Sequence, residues 1–309
     1  MIDFSTLQGL TIPEGVVTQI ADASGRVIWA LPVADGPIIL EVEKITSDTY
    51  AGETTYSGEQ FILLDIYPTT NGTVTVTYGG LTKTITDTSG AEEPNAQQVF
   101  FGTFNGVSDS VVTPSSGELT IEGDCQAFGC SQFSYGSKDT TMFNGVNVIK
   151  SFGAVKAIPG MAFGHLFYPS CNITEVKIPG TVLTIGNSAF GGCKNLAKVI
   201  LREGTKSIDA FAFSGTLASE VTIPKSVEHI HESAFVSKHL KKITILSTIP
   251  FDISSVINSS TGEVSYIAFG DITAESFGLE QIIVPKGFGN TYKTAEGWNY
   301  YADYIVEAT

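Results

Sequence analysis

The sequence predicts a mainly β protein in which a β-sandwich is followed by a solenoid of short repeats. Only 16% of the 309 residues are charged and 32 are Gly, a composition that favours strands and turns over amphipathic surface helices. Short runs rich in Val, Ile and Thr alternate with Gly, Pro and Asn turns. In the second half the dipeptide Ala-Phe recurs at steps of 27, 23 and 22 residues. The first two observations predict strands, and the third predicts repeats.

The charge balance excludes two classes of partner. The chain carries 17 Lys and Arg against 32 Asp and Glu, so its formal net charge is −15. A nucleic-acid-binding surface needs a basic excess to displace counterions, and an anionic membrane surface attracts basic segments. No run of roughly 18 apolar residues is present, so the sequence also predicts no membrane insertion.

The first six residues lack the basic flank and apolar stretch of a secretion signal. Three alternatives are compatible with this observation. Either the protein stays inside the cell, or it leaves by a route such as lysis, or its signal has been removed. Four Cys in 309 residues are too few for a disulfide scaffold.

Residues 1–36 are predicted to form a leader hairpin and a linker. Extended apolar segments are expected over residues 10–12, 16–20 and 26–29, with a turn at 22–25. Two prolines then mark the linker, because proline cannot donate to a strand ladder.

Residues 37–123 are predicted to form the β-sandwich. Val74, Val76 and Tyr78 alternate with threonines, which is typical of a half-buried strand. Asn71-Gly72 predicts a two-residue hairpin turn. Several short strands at such spacing indicate a sandwich of immunoglobulin-like type, although the Cys–Trp–Cys pattern of antibody domains is absent.

Residues 124–309 are predicted to form a repeat solenoid with a C-terminal cap. A unit of about 22 residues cannot bury an apolar face alone, so neighbouring units must stack. The corresponding positions are Ala162-Phe163, Ala189-Phe190, Ala212-Phe213 and Ala234-Phe235, strand segments 176–179, 199–201, 221–224 and 243–245, and Leu196, Leu217 and Leu240. Tyr292-Lys293 and residues 297–301 are expected to close the C-terminal end.

One complete unit reads Glu175-Val176-Lys177-Ile178-Pro179, then Val182, Ile185-Gly186 and Ala189-Phe190-Gly191-Gly192-Cys193. Units of this kind resemble the BspA-type leucine-rich repeats of bacterial surface proteins, over roughly residues 145–305. The departures are a lengthened first step around His165, an insertion over 247–280, and Leu201-Arg202 in place of an Ile-Pro corner. The resemblance implies adhesion to a protein, a cell or a surface polymer. It carries over no catalytic, cofactor-binding, metal-binding or ligand-binding residue.

The leader carries a second resemblance. Residues 10–15, followed by residues 22–29, are similar to the N-termini of tail-associated structural proteins of prophages in gut Firmicutes. This resemblance implies a virion-associated protein and would account for a surface-type repeat array without a secretion signal.

Histidine and cysteine are the residue types most open to a chemical role. Among the histidines, His165, His229, His231 and His239, only His229 and His231 are neighbours, and they would share one face of a strand. They could offer two imidazoles to a metal, but solvated repeat positions are the favoured interpretation, because Ile230 between them is expected in the core. No metal site is predicted.

The spacings of the cysteines do not match a zinc site. Cys125 and Cys130 are too far apart for a zinc knuckle. Cys171 and Cys193 are one repeat apart, which predicts equivalent buried positions. A disulfide within either pair stays open as an alternative.

No enzyme motif is present. The sequence lacks a Gly-rich phosphate loop and a Gly-x-Ser-x-Gly elbow, and the neighbouring carboxylates Glu92-Glu93 lie in a predicted loop. Ser, His and Asp all occur, but nothing in the sequence brings them together. Aromatic residues over 100–104 and at Phe128 and Phe152 are expected in the core and at its junction with the solenoid, not on a carbohydrate platform.

The sequence therefore predicts a non-enzymatic recognition or adhesion protein without a cofactor. The leading hypothesis is a phage or prophage tail-associated protein that binds a protein or glycan on a cell surface through its solenoid. The alternative is a bacterial cell-surface adhesin. A polysaccharide-acting enzyme is the third and least favoured class.

Overall fold

The computed structural model describes most of the chain, and the statements on structure below concern these parts. They are residues 19–21, 27–30, 36–42, 49–50, 53–54, 60–89, 97–104, 107–108, 117–130, 133–135, 138–140, 146–164, 173–257, 264–274 and 277–309.

The leader contains one antiparallel strand pair. Strand β1 (Gln19–Ala21) pairs with β2 (Val27–Ala30), with an irregularity in register near Ala21. The extended segment predicted over residues 10–12 lies outside the described residues.

The next part of the chain forms two antiparallel sheets. The strands are β3 Ile38–Val42, β4 Thr49–Tyr50, β5 Glu53–Thr54, β6 Gln60–Pro68, β7 Thr73–Tyr78, β8 Leu81–Thr86, β9 Gln97–Phe104, β10 Val107–Ser108, β11 Gly117–Gly123, β12 Cys125–Cys130, β13 Phe133–Tyr135, β14 Lys138–Thr140 and β15 Val146–Phe152. One sheet has the strand order β15-β3-β11-β7-β8 and the other β10-β9-β6-β12. Strands β4 and β5 form a separate short pair, as do β13 and β14.

Apolar side chains from both sheets form one core. In β7 the predicted alternation holds, since Val74, Val76 and Tyr78 are all buried. The Tyr78 ring meets the edge of Phe101 from the other sheet, with the ring centroids 5.8 Å apart. The immunoglobulin-like connectivity stays a prediction.

The prediction of a two-residue hairpin at Asn71-Gly72 is wrong. Strands β6 and β7 on either side of this turn belong to different sheets. The turn is instead fixed by non-local contacts, because Asn71 donates its backbone N–H to the Asp87 carboxylate at 3.0 Å. The true hairpin lies between β7 and β8, where Gly79 and Gly80 both have positive φ.

The two sheets extend beyond residue 123, where the sequence places the start of the repeats. Strand β12 pairs with β6 and strand β15 pairs with β3, so each sheet takes one strand from residues 125–152. Their pairing therefore assigns them to the sheets and not to the coils.

A β-solenoid spans roughly residues 157–307, which confirms the mainly β fold. Its strands are β16 Ala157–Ile158, β17 Glu175–Ile178, β18 Thr184–Ile185, β19 Lys198–Leu201, β20 Ser207–Ile208, β21 Glu220–Ile223, β22 His229–Ile230, β23 Lys242–Ile245, β24 Asp252–Ile253, β25 Ser255–Ile257, β26 Val264–Tyr266, β27 Gln281–Val284 and β28 Ile305–Glu307. A short parallel ladder has the order β16-β18-β20-β22-β24. The longer strands form two parallel groups, β17-β19 and β21-β23-β27-β28. We call these the short ladder and the long ladder.

The Ala-Phe dipeptides form the predicted stack inside the solenoid. Consecutive rings of Phe163, Phe190, Phe213 and Phe235 are stacked, with centroids 5.2, 5.3 and 5.2 Å apart. Each of these rings is almost completely buried. The preceding alanine has a backbone role as well, since its carbonyl accepts a hydrogen bond from the phenylalanine N–H of the previous coil.

A fifth Ala-Phe pair lies within the predicted insertion over residues 247–280. The N–H of Phe235 donates to the carbonyl of Ala268 at 3.0 Å, and Phe269 continues the stack with its centroid 6.3 Å from that of Phe235. The added length between these coils includes the antiparallel pair of β25 and β26. The insertion therefore lengthens a coil without ending the stack.

The prediction that Leu217 occupies the same core position as Leu196 and Leu240 is wrong. Leu196 and Leu240 are buried, but Leu217 is 40% exposed, and Ala218 is buried in its place. Ala218 precedes Val221 by three residues, as Leu196 precedes Val199. Ala218 also follows Phe213 by five residues, as Leu240 follows Phe235, so the spacing and not the residue type marks the core position.

Aromatic residues join the sheets to the solenoid. The Phe128 ring lies 5.9 Å from that of Phe152 and 5.6 Å from that of Phe163, the first ring of the stack. All three are buried. The expectation that Phe128 and Phe152 pack in the core and at the junction is thereby confirmed.

The C-terminal residues cover the last coil, as predicted. Helix α1 (Gly289–Thr294) and a 3₁₀ helix (Trp298–Tyr304) contribute three fully buried rings, those of Tyr292, Trp298 and Tyr301. Trp298 donates its indole N–H to the Phe251 carbonyl at 2.8 Å. Burial raises the pKa of Tyr292 to about 12, so its hydroxyl stays protonated and donates to the Ser247 carbonyl at 2.9 Å.

The phenylalanine stack generates the first prediction. Phe190→Ala should lower the free energy of unfolding by about 3–5 kcal/mol, because it removes a fully buried ring between two stacked neighbours. Chemical denaturation monitored by circular dichroism measures the change. Unaltered stability would contradict the stacked core.

The reassigned leucine position gives a second prediction with a matched control. Leu240→Ala should cost about 2–5 kcal/mol, whereas Leu217→Ala should change stability by less than about 0.5 kcal/mol, because only Leu240 is buried. Denaturation of both variants under the same conditions compares them. Equal losses would show that Leu217 belongs to the core after all.

A third prediction concerns acid stability at the C-terminal cap. Hydrogen bonds from the N–H groups of Gly287 and Gly289 lower the pKa of Glu307. A carboxyl with a lowered pKa in the folded protein stabilises it above the ordinary carboxyl pKa, and this stabilisation is lost as the pH falls through the lowered value. Glu307→Gln should therefore flatten the fall in melting temperature between neutral and acidic pH. A variant with the wild-type pH profile would contradict this role.

Candidate functional site

The long ladder is interrupted in its middle. Strand β19 pairs with β17, with Lys198 opposite Glu175, and strand β21 pairs with β23, with Glu220 opposite Lys242. No strand pairing joins β19 to β21, although both are fully described. The facing edges of these two strands are therefore not joined to each other, in contrast to the other neighbours of the long ladder.

Proline at a corner removes one backbone hydrogen bond beside this interruption, although Pro285 follows β27 and that strand still pairs with β23. The residue directly after β19 and the one after β23 donate to the previous coil, since Arg202 N–H donates to the Ile178 carbonyl and Leu246 N–H to the Ile223 carbonyl, both at 3.1 Å. Pro224 occupies the equivalent position after β21. Proline has no N–H, so this bond to β19 cannot form.

A carboxylate connects the two coils at the same corner. Glu203 accepts hydrogen bonds from the backbone N–H groups of Lys225 and Ser226, at 3.1 and 3.0 Å. Gly204 donates its own N–H to the Ser226 hydroxyl at 2.7 Å. Gly204 has a φ of +132°, and a side chain there would collide with the carbonyl of Gly180. The corner is thus held by a side chain, while strands β19 and β21 beside it are not paired with each other.

The interruption opens a cleft of about 540 Å³ on the outer face of the long ladder. Its lining residues are Ala197, Lys198, Val199, Ile200, Leu201, Ser219, Glu220, Val221, Thr222, Lys242 and Thr244. The lining combines strand backbone with outward-facing polar side chains from three adjacent coils. Because all of these residues except Ala197 and Ser219 lie on strands, their positions are fixed by the core behind them.

The charges around the cleft are arranged as ion pairs. Lys198 Nζ lies 3.0 Å from a Glu175 oxygen, and Lys242 Nζ lies 2.5 Å from a Glu220 oxygen. Lys198, followed by Lys177, holds the pKa of Glu175 below its ordinary value. Since each cation has an anionic partner, the rim has little net charge despite the strongly acidic chain. The cleft therefore suits a ligand that is bound by shape and hydrogen bonds.

The histidine pair lies on the short ladder, away from the cleft lining. His229 and His231 face the same side, with ring centroids 4.1 Å apart, and Ile230 between them is fully buried, as predicted. His239 is exposed on another turn, and His165 lies outside the described residues. Within the described part of the chain, no group of three or more His, Cys, Asp or Glu side chains is placed to hold a metal.

The structure brings Ser, His and Asp together, which sequence reasoning failed to foresee. His229 Nδ1 lies 2.7 Å from an Asp252 oxygen, and His229 Nε2 lies 2.8 Å from the Ser254 hydroxyl oxygen. The expectation that nothing unites these residue types is therefore wrong for this group. No local motif signals it, because Asp252 and Ser254 belong to the coil after the one that carries His229.

The two cysteine side chains that the structure describes are buried thiols, which are poorly placed to react as nucleophiles. Cys125 is a buried free cysteine, and burial raises the pKa of its thiol to about 12, so the reactive thiolate does not form at neutral pH. Cys193 is buried in the solenoid, where its thiol donates to the Phe163 carbonyl at 3.4 Å. The side chains of Cys130 and Cys171 lie outside the described part.

Comparison with known families supports a BspA-like leucine-rich-repeat protein. A family described as BspA type leucine rich repeat region matches residues 163–283 in six copies. This stretch contains the phenylalanine stack and the interrupted long ladder. Repeats of this type are typically binding scaffolds without enzymatic activity and are typical of surface or extracellular proteins. A search of curated proteins finds no match to the chain.

The helices of the structure are short. Among the described residues, none is long and apolar enough to cross a membrane.

Proposed function

We propose that this protein recognises a protein or glycan on a cell surface through the outer face of the long ladder, with the cleft between β19 and β21 as the centre of the site. The interrupted ladder carries the proposal, because it is where the regular sheet opens into a concave surface. Repeat solenoids typically bind along such extended faces.

The polar groups of the cleft indicate how a ligand would be held. Unpaired strand edges can offer backbone N–H and C=O groups, and Thr222 and Thr244 add hydroxyls beside them. The ion-paired Lys and Glu side chains of the rim can donate and accept hydrogen bonds to a ligand, and their opposite charges give little attraction for a free ion. A ligand with several hydroxyl or amide groups fits this arrangement.

We further propose that the protein is associated with a phage or prophage tail, and that the leader and the N-terminal sheets form its attachment module. The resemblance of residues 10–29 to prophage tail proteins supports this role. The alternative, a bacterial cell-surface adhesin, rests on the family match alone. Mass spectrometry of particles purified after prophage induction separates the two, since only a tail-associated protein would co-purify with virions.

A fourth prediction tests the cleft. Thr222→Arg should obstruct it, and the variant should bind immobilised mucin or bacterial cell-wall polysaccharide about tenfold more weakly than the wild-type chain, a loss of ~1.4 kcal/mol. Biolayer interferometry with these two probes measures the change.

The matched control alters the other ladder. Lys206 pairs with Glu228 between adjacent coils of the short ladder, away from the residues that line the cleft. Glu228→Arg should leave binding unchanged. If both variants bind as the wild type does, or if both lose affinity equally, the cleft is not the recognition site.

A further inference from the structure

Three adjacent coils place six polar side chains in two rows on the short ladder. The register aligns Ser207 with His229 and His229 with Asp252. Two residues further along each coil, the second row contains Asp209, His231 and Ser254. Each histidine therefore lies between hydroxyl and carboxylate groups from neighbouring coils.

We propose that Ser254, His229 and Asp252 form a nucleophilic triad that hydrolyses accessible carboxylic esters. The Ser254 hydroxyl oxygen is 2.8 Å from His229 Nε2, and Asp252 is 2.7 Å from His229 Nδ1. These contacts match the roles of nucleophile, general base and orienting carboxylate, each within hydrogen-bond reach of the next.

The second histidine also contacts the serine. His231 Nδ1 lies 3.4 Å from the same Ser254 oxygen. Asp209 lies 3.7 Å from His231 Nε2 and is itself held by the Ser207 hydroxyl at 2.8 Å. These contacts from the neighbouring coils hold the Ser254 hydroxyl close to both imidazoles.

The coil backbone fixes these groups in place. Ser254 N–H donates to the Ile230 carbonyl at 3.0 Å, and His231 N–H donates to the Ile208 carbonyl at 2.9 Å. Ile230 and Ile253, the immediate neighbours of His229 and Ser254, are buried. The side chains of the triad thus project from strands that are anchored in the core, so little reorganisation is needed before reaction.

The reaction proceeds in two balanced stages. Ser254 Oγ attacks the ester carbonyl carbon while His229 takes the hydroxyl proton, and the negative charge develops on the former carbonyl oxygen. The carbon–oxygen bond to the alcohol then breaks, and His229 returns the proton to the departing alcohol. Water repeats the sequence on the acyl-serine with His229 as base, which releases the carboxylic acid and restores the Ser254 hydroxyl.

The surroundings of the triad indicate the class of substrate. The Asp252 side chain is 71% exposed and that of His229 28% exposed, so the triad opens directly to the surface. An open site can reach small acyl groups that project from a larger molecule, such as O-acetyl groups on a glycan. It offers little to hold a long acyl chain, which needs an apolar pocket.

The fifth prediction tests the triad by activity and by covalent labelling. The full chain should hydrolyse p-nitrophenyl acetate above the buffer rate, and a fluorophosphonate probe should add one label, located on Ser254 by peptide mass spectrometry. Ser254→Ala should abolish both, and His229→Gln should lower hydrolysis by roughly 10²–10⁴-fold, the range typical of a general base.

Two controls exclude non-specific reactivity. Ser89→Ala removes an exposed serine hydroxyl outside the solenoid and should leave labelling unchanged. His239→Ala removes an exposed imidazole that could hydrolyse the ester unaided, and it should leave hydrolysis unchanged. Melting temperatures establish that each variant is folded. Absence of labelling, labelling at another residue, or wild-type hydrolysis by folded Ser254→Ala would overturn the proposal. None of these outcomes bears on the cleft, which lies on the long ladder.

Discussion

Contact between adjacent coils is the interaction on which the solenoid depends. Each coil has too few residues to enclose its own phenylalanine, and each ring is covered by the rings above and below at about 5.2 Å. The Phe N–H of each coil also donates to the Ala carbonyl of the next coil. Ring stacking and backbone hydrogen bonding therefore set the same distance between adjacent coils. Side chains at equivalent outer positions consequently lie one coil apart. That regular spacing brings Lys198 beside Glu175 and His229 beside Asp252.

Such a stack has two ends, and the protein covers each with aromatic residues of a different kind. At the first end, Phe128 from the antiparallel sheets meets Phe163 edge-on. At the other end, Trp298 and Tyr301 surround Phe269 with tilted and edge-on rings. Edge contacts replace parallel stacking where the repeat stops, so a further ring cannot be added in the same geometry. The Phe269 N–H, which would pair with the carbonyl of a further coil, donates instead to the Tyr301 hydroxyl oxygen at 3.3 Å.

Much of the solenoid was predictable because its core residues recur at a nearly constant step, whereas the features that depart from this step were not. Ala268-Phe269 was missed because the longer coil before it moves the dipeptide out of phase. Leu217 was misassigned because leucine was matched by residue type, although the spacing to the following strand favours Ala218. Neither candidate site has a sequence signature. The cleft arises from a pairing that fails to form, and the Ser254 group joins residues that only the winding of the chain brings together.

The interrupted ladder has a mechanical consequence. Hydrogen bonds between parallel strands resist separation of coils along the axis, and between β19 and β21 no strand pairing contributes, so the corner bonds to Glu203 and the Leu217 N–H to Leu196 carbonyl bond connect the coils there. The short ladder continues across the same level, from β20 to β22, and the ring stack also continues. The solenoid thus has two blocks of continuous strand pairing, which meet on one face at a seam without strand pairing. Tension along the axis would bend the molecule at this seam before it extended either block, so the width of the cleft would change with the load on a tethered protein.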